Sequence, residues 1–171
     1  MTIEGPVLQT DARDRLADLF ERHHQRLYSF ALRVAATDDE ARDLMQDAFV
    51  RAARNMARVP ADDHAAMSWL VRVVVNLSRD AHRRRSVRDA FLRLVRSGSH
   101  DPRSSLDAAA TVRRALAALP PRQRAIVVLH HLEEEPVAAI AAMLGLSQIT
   151  VRWHLAAARR RLSAFLHGAR S

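Results

Sequence analysis

Apolar residues recur every three to four positions along almost the whole chain, and the spacing is broken at length only once, at SGSHDPRSS, 97–105. A 3.6-residue period marks helices that bury one face, whereas strands need a period of two. The break is small and polar, with Gly98 and Pro102, which is linker chemistry. These observations predict an all-α chain of two small helical domains, 1–96 and 107–171, joined by a flexible linker at 97–106. Composition agrees: Gly numbers only 4 in 171 residues, so few positions can break a helix, and Ala, Leu and Arg, all strong helix formers, dominate.

Before the linker the pattern divides into helices. The first runs over 14–36, with Leu16, Leu19, Phe20, His23, Leu27, Phe30, Ala31 and Val34 on one face. Thr37 followed by Glu40 is a capping-box spacing and opens a second helix, to about 57, with Ala41, Leu44, Met45, Ala48 and Ala52 inward. RVPADDH is a loop, and a third helix runs from 65 past 83 with Leu70, Val73, Val74, Leu77 and Ala81 inward. Val87, Phe91 and Val95 give the spacing of a separate short helix at 86–96. After the linker, helices are expected over 107–119, 122–132, 137–144 and 148–166. Pro suits helix starts and Gly145 suits the end of the third.

The last two of these helices are joined by the turn Gly145, Leu146, Ser147. Val137, Ile140, Ala141 and Leu144 form the buried face of one, and Val151, Leu155, Ala158 and Leu162 that of the other. Ser147 is placed to cap the second helix. Two helices about a short Gly-containing turn make a helix-turn-helix. Its second helix would offer Gln148, Thr150, Arg152, Trp153, Arg159 and Arg160 outward, the early residues toward base edges and the later arginines toward phosphates.

Charge supports that reading. Net charge is +8, and all 27 basic residues are arginine. Arginine codons are GC-rich and lysine codons are not, so a GC-rich coding sequence explains the missing lysine but not where arginine clusters. From 152 to 171 there are five arginines and no acid; from 72 to 96 there are eight arginines and two aspartates. Clustered arginines suit a polyanion, because each neutralised phosphate releases counterions. On the third helix Arg72, Asn76, Arg79 and Arg83 recur at i, i+4, i+7 and i+11, with Trp69 one turn before. Arginine grips phosphate, asparagine can read a base edge, and an aromatic offers a stacking face to an unpaired base. The second helix instead carries Glu40, Asp43 and Asp47 with Gln46 beside them, a face for solvent or for a basic protein partner. Either arginine cluster could also be the solvated face of an ordinary helical bundle.

At these residues the chain resembles a bacterial RNA polymerase sigma factor of the extracytoplasmic-function (ECF, group IV) type, over about 15–166. RLYSFALRVAATDDEARDLMQDAFVRAAR, 26–54, resembles the family's core-binding segment, with Asp43, Gln46, Asp47 and Phe49 at motif positions. The resemblance implies that they contact the clamp helices of the polymerase's largest subunit. WLVRVVVNLSRDAHRRR, 69–85, resembles the segment that melts and reads the minus-ten element; Trp69, Leu70, Asn76, Asp80, Arg83 and Arg84 match. The resemblance implies that Asn76 and the loop before Trp69 hold a flipped non-template base, with Arg72 and Arg79 on the same face. Residues 119–162 resemble the domain that reads the minus-thirty-five element. The implied partners are core RNA polymerase, promoter DNA (duplex at minus thirty-five, single-stranded at minus ten) and an anti-sigma factor. The chain departs from the family pattern at Pro136, at Ala139-Ile140-Ala141, at Ile149 and Trp153, and at Ala156 and Ala157. Apolar spacing survives these departures, but the family's minus-thirty-five sequence does not carry over.

Other classes fit less well. TVRWHL is as close to the reading helix of a LuxR-type transcriptional regulator, but residues 1–96 show no alternating βα pattern for a receiver domain. His130 and His131 beside Glu133, Glu134 and Glu135 could suggest a metal, yet adjacent helical residues point roughly 100° apart. With no HExxH, no cysteine and no Gly-rich phosphate loop, no metal, cofactor, small-molecule substrate or enzymatic activity is expected. A purely structural helical adaptor is the remaining alternative. No run of about 18 apolar residues or signal-peptide pattern occurs, so membrane insertion is not expected and a cytoplasmic location is.

Overall fold

The computed structural model describes the backbone over 7–95 and 108–168 and the side chains over 11–87 and 111–167. The linker expected at 97–106 lies outside the described residues. Within them the chain is helical and carries no strand: α1 (Val7–Val34), α2 (Asp38–Arg54), a 3-10 turn (Met56–Arg58), α3 (Asp63–Val95), α4 (Ala108–Ala117), α5 (Pro121–His131), α6 (Val137–Leu144) and α7 (Gln148–Gly168). The chain divides into two compact units, Met1–Val74 and Val75–Ser171, α3 contributing to both.

In the first unit α1 packs along α2. Leu27, Phe30, Ala31 and Val34 of α1 and Ala41, Leu44, Ala48 and Ala52 of α2 are buried, as their spacing predicts. Each large apolar side chain so buried contributes about 1.5–3 kcal/mol. Thr37 caps α2 as expected: Glu40 N–H donates to Thr37 Oγ1 at 3.1 Å, and the Glu40 carboxylate reaches back one residue past the cap to accept from Ala36 N–H at 2.7 Å. Phe20, expected inward, is 42% exposed. It stands at the edge of the α1 stripe, and Leu19 takes the buried position beside it.

Helix α3 begins at an unforeseen cap, where Asp62 Oδ1 accepts from Ala65 N–H at 2.8 Å. The separate helix expected at 86–96 is not there: α3 continues unbroken to Val95. The change of apolar phase near residue 86 comes without Gly or Pro, so nothing ends the helix.

In the second unit α5 packs against α6 and α7, and α4 packs on α7. Eight residues of α5 are buried: Pro121, Gln123 and Arg124, with the run from Ala125 to Leu129. Arg124 is only 5% exposed; its Nη2 donates to the carbonyls of Ala117 (2.9 Å) and Leu119 (3.2 Å). It thus satisfies carbonyls that the end of α4 leaves without a helical partner. The turn after α5 places Glu134 at φ 56°, a left-handed backbone unusual outside glycine. His130 Nδ1 donates to the Glu135 carbonyl at 3.1 Å, fixing that ring within the turn.

Candidate functional surfaces

On α2 the structure leaves Asp43, Gln46 and Asp47 exposed, and positions 43, 46 and 47 share one helical face. Glu40, counted with that stripe in the sequence, is half-buried and engaged in the cap. Arg42 donates to Asp39 Oδ1 at 2.7 Å, and that bond, then the charge field of Tyr28 and Asp39, raises the guanidinium's pKa. Phe49 is buried and meets Phe20 edge-on, with ring centroids 4.9 Å apart. Both rings line an apolar groove of about 620 Å³ between α1 and α2, with Leu16, Met45, Gln46 and Val50. Sequence periodicity missed this groove because it assigns a residue to the core or to solvent and has no place for a half-open cleft. The exposure of Phe20 and Val50 is its signature. Phe20 also stacks on His24, centroids 4.8 Å apart, whose Nδ1 donates to the Phe20 carbonyl at 2.9 Å.

On α3 Arg72, Arg79, Arg83 and Arg84 are exposed, and Trp69, Asn76 and Asp80 are half-buried. Because α3 is one unbroken helix, the stripe from Trp69 to Arg84 is carried on a single element. The loop before Trp69 is held from α1, a tie the sequence did not reveal. Arg15 Nη2 donates to the Val59 carbonyl at 3.4 Å, and Asp63 Oδ1 lies 3.2 Å from Nε2 of the buried His23 and 3.7 Å from Arg22. Asp18 accepts from Arg22 at 3.1 Å.

In the second unit the helix-turn-helix forms as its residues predict. Gly145 takes φ 64° and ψ 42°. Leu146 N–H donates to the Ala141 carbonyl (2.8 Å) and Gly145 N–H to the Ala142 carbonyl (3.4 Å), the paired bonds of a Schellman end. Ser147 caps α7: its Oγ accepts from Thr150 N–H at 3.1 Å and lies 2.8 Å from the Thr150 hydroxyl. Gln148, Arg152, Trp153, Arg159 and Arg160 are exposed, and Thr150 is half-buried. Arg152 Nη2 donates to Gln148 Oε1 at 3.4 Å. Ile149, not singled out as an outward reading residue in the sequence, is 77% exposed beside them. On the inner side burial, and secondarily the charge of Arg122, lower the pKa of His154, which favours the neutral ring. Among the described residues no group of three or more His, Cys, Asp or Glu is placed to hold a metal ion, and no helix is long and apolar enough to cross a membrane.

Helical modules with exposed arginine faces and a helix-turn-helix define a class, the DNA-binding transcription proteins. Comparison with known proteins narrows it. Sigma-70 region 2 matches residues 19–88, and Sigma-70, region 4 matches residues 109–162. The ECF RNA polymerase sigma factor SigM of Mycobacterium tuberculosis is 36% identical over 157 residues, covering 91% of this chain and 80% of SigM. The ECF RNA polymerase sigma factor SigW of Bacillus subtilis is 25% identical over 166 residues, covering 88% of each. Among solved structures, the sigma factor RpoE of Bartonella quintana, crystallised with the anti-sigma factor NepR, is similar with a TM-score of 0.62 at 25% identity, covering 92% of this chain and 97% of that one. CnrH in complex with the cytosolic domain of CnrY is similar with a TM-score of 0.59 at 27% identity, covering 95% and 96%. The chain belongs to the sigma-70 family of RNA polymerase sigma factors, in its ECF branch. A LuxR-type regulator is set aside, because the match extends through 19–88, the half of the chain that reading left unexplained.

Proposed function

We propose that the chain is a dissociable promoter-specificity subunit without catalysis of its own, acting in the cytoplasm, with its work divided between residues 1–96 and 107–171. Asp43, Gln46, Asp47 and Phe49 dock α2 on core polymerase, the acids facing a basic partner and Phe49 walling the apolar groove. Trp69, Arg72, Asn76, Arg79, Asp80, Arg83 and Arg84 capture the minus-ten region on α3. Arginines hold phosphates, and Asn76 with the loop before Trp69 accepts a base turned out of the stack. Unstacking a base requires a few kcal/mol, supplied by stacking and backbone contacts. Gln148, Thr150, Arg152, Trp153, Arg159 and Arg160 place α7 in the major groove at minus thirty-five. The two similar solved structures were each determined with a partner, NepR and CnrY; by analogy an anti-sigma factor covers these surfaces until a signal releases them.

The observation that carries this reading is the presence in one chain of both sigma regions, in order, over 19–88 and 109–162. Run-off transcription tests it: purified core polymerase is given sheared genomic DNA of the host, with and without the protein. Discrete new transcripts support the reading and reveal both promoter elements from their start sites. Specific duplex binding by the protein alone, without new transcripts, would return the case to a regulator that is not a polymerase subunit.

A further inference from the structure

Helix α7 carries an apolar pair that packing leaves uncovered. Ile149 is 77% exposed and Trp153 is 58% exposed. Four residues apart, they share one face over the first two turns. Val151 and Ala158 are buried and hold α7 to its unit. At roughly 100° per residue, Ile149, Arg152, Trp153, Ala156 and Arg160 lie on the opposite side. Polar competition on these turns is reduced by local bonds. The Thr150 hydroxyl is engaged with Ser147 at 2.8 Å, and the Gln148 amide oxygen accepts from Arg152. What this face presents first is therefore apolar surface framed by arginine.

Charge decides what covers it. Arg152, Arg159 and Arg160 are exposed, and no acidic residue occurs between 152 and 171. A surface of that sign seats against a polyanion. The major groove of DNA is a polyanionic surface that also displays an apolar group at fixed positions, the C5-methyl of thymine. The early turns of the second helix in a helix-turn-helix are those that reach base edges. Ile149 and Trp153 stand on those turns, directly after the Ser147 cap.

We propose that Ile149 and Trp153 read thymine in the upstream promoter element, by apolar contact with its C5-methyl group. This readout rests on the assignment of α7 to upstream DNA and adds its chemistry. Where these side chains touch, thymine is preferred over cytosine, whose C5 bears only hydrogen.

The test uses the holoenzyme, core polymerase with the full chain, on duplex promoter fragments defined by mapped start sites. Each upstream thymine is replaced in turn by deoxyuridine, which deletes the methyl and keeps the pairing edge. Binding is expected to fall about three- to fivefold at one or two positions, the worth of one methyl group withdrawn from apolar contact. In Ile149→Ala or Trp153→Ala holoenzyme the corresponding loss disappears; both side chains are exposed, so the fold persists. A wild-type holoenzyme indifferent to every replacement overturns the proposal, as does an undiminished loss in both variants. So does a loss of core-polymerase affinity in the variants without any change in thymine-over-uracil preference, which makes the patch a protein contact. Arg152→Ala with Arg159→Ala is the control on the underlying assignment. It is expected to weaken all fragments alike, and a variant that binds them all normally removes α7 from the DNA whatever the thymine result.

Discussion

Asn76 stands half-buried on α3 among exposed arginines, one turn after Arg72 and two after Trp69. An amide there offers a base edge both a donor and an acceptor, and alanine offers neither. Asn76→Ala is expected to abolish promoter opening while core affinity stays within about twofold, measured by permanganate reactivity and by core titration in parallel; normal opening takes Asn76 out of the site. His154 makes a prediction of another kind. Its pKa lies below the ordinary histidine value of 6.5, first through burial and then through Arg122. The unfolded chain therefore takes up this proton at higher pH than the folded one. Stability is full above pH 6.5, declines as pH falls below it, and stops declining once pH has passed the folded-state value. His154→Leu is expected to flatten the denaturation midpoint against pH below 6.5 relative to wild type, and parallel profiles would refute the assignment. On α3 the four arginines Arg72, Arg79, Arg83 and Arg84 are exposed, and residue type and spacing made the helical placement of Trp69, Asn76 and these arginines legible in the sequence. The tie of His23 to Asp63 was not, because periodicity names a residue's face but not its partner on another helix.

At the scale of elements, caps and turns were the most legible features, since each rests on the chemistry of one or two side chains. Thr37, Ser147 and Gly145 all act where their sequence context places them. A Cβ built on Gly145 meets nothing within 4 Å, so the cost of Gly145→Ala is left-handed backbone strain alone. That substitution is expected to destabilise the protein by about 1 kcal/mol, read by denaturant unfolding, without altering helix content. Helix ends without such a signal were misjudged: the division of α3 near residue 86 rested on apolar phase, and the helix continues through it. The α2 stripe yields an element-level test. Asp43→Arg with Asp47→Arg reverses two charges outside the core and leaves the buried face untouched. Core-polymerase affinity should fall at least about tenfold while circular dichroism is unchanged, since like charges then meet a basic partner. Unaltered affinity would remove α2 from the docking surface.

Over the whole molecule, a charge of +8 whose positive side is carried on arginine alone makes association with DNA salt-dependent in a countable way. Replacing Arg159 and Arg160 by glutamine should reduce the slope of log affinity against log salt by about 0.9 for each phosphate that is no longer neutralised, and an unchanged slope would place those arginines off the phosphates. The all-helical class was legible from the whole-chain apolar period. The arrangement of the units is not a property of periodicity, because every helical bundle shares the same period.

Not every arginine is open to such retuning. Among the described arginines Arg124 is the buried one, and its guanidinium is the clasp on the end of α4. On the proposed function, exchanging an exposed arginine for glutamine, histidine or serine shifts grip on promoters while the fold is kept. At position 124 the side chain is buried and a single nitrogen, Nη2, bonds two carbonyls of the chain itself, so a change there falls on the fold. On that reading promoter strength and foldability rest on separate members of one residue type, so the choice of promoter is adjustable without risk to the scaffold.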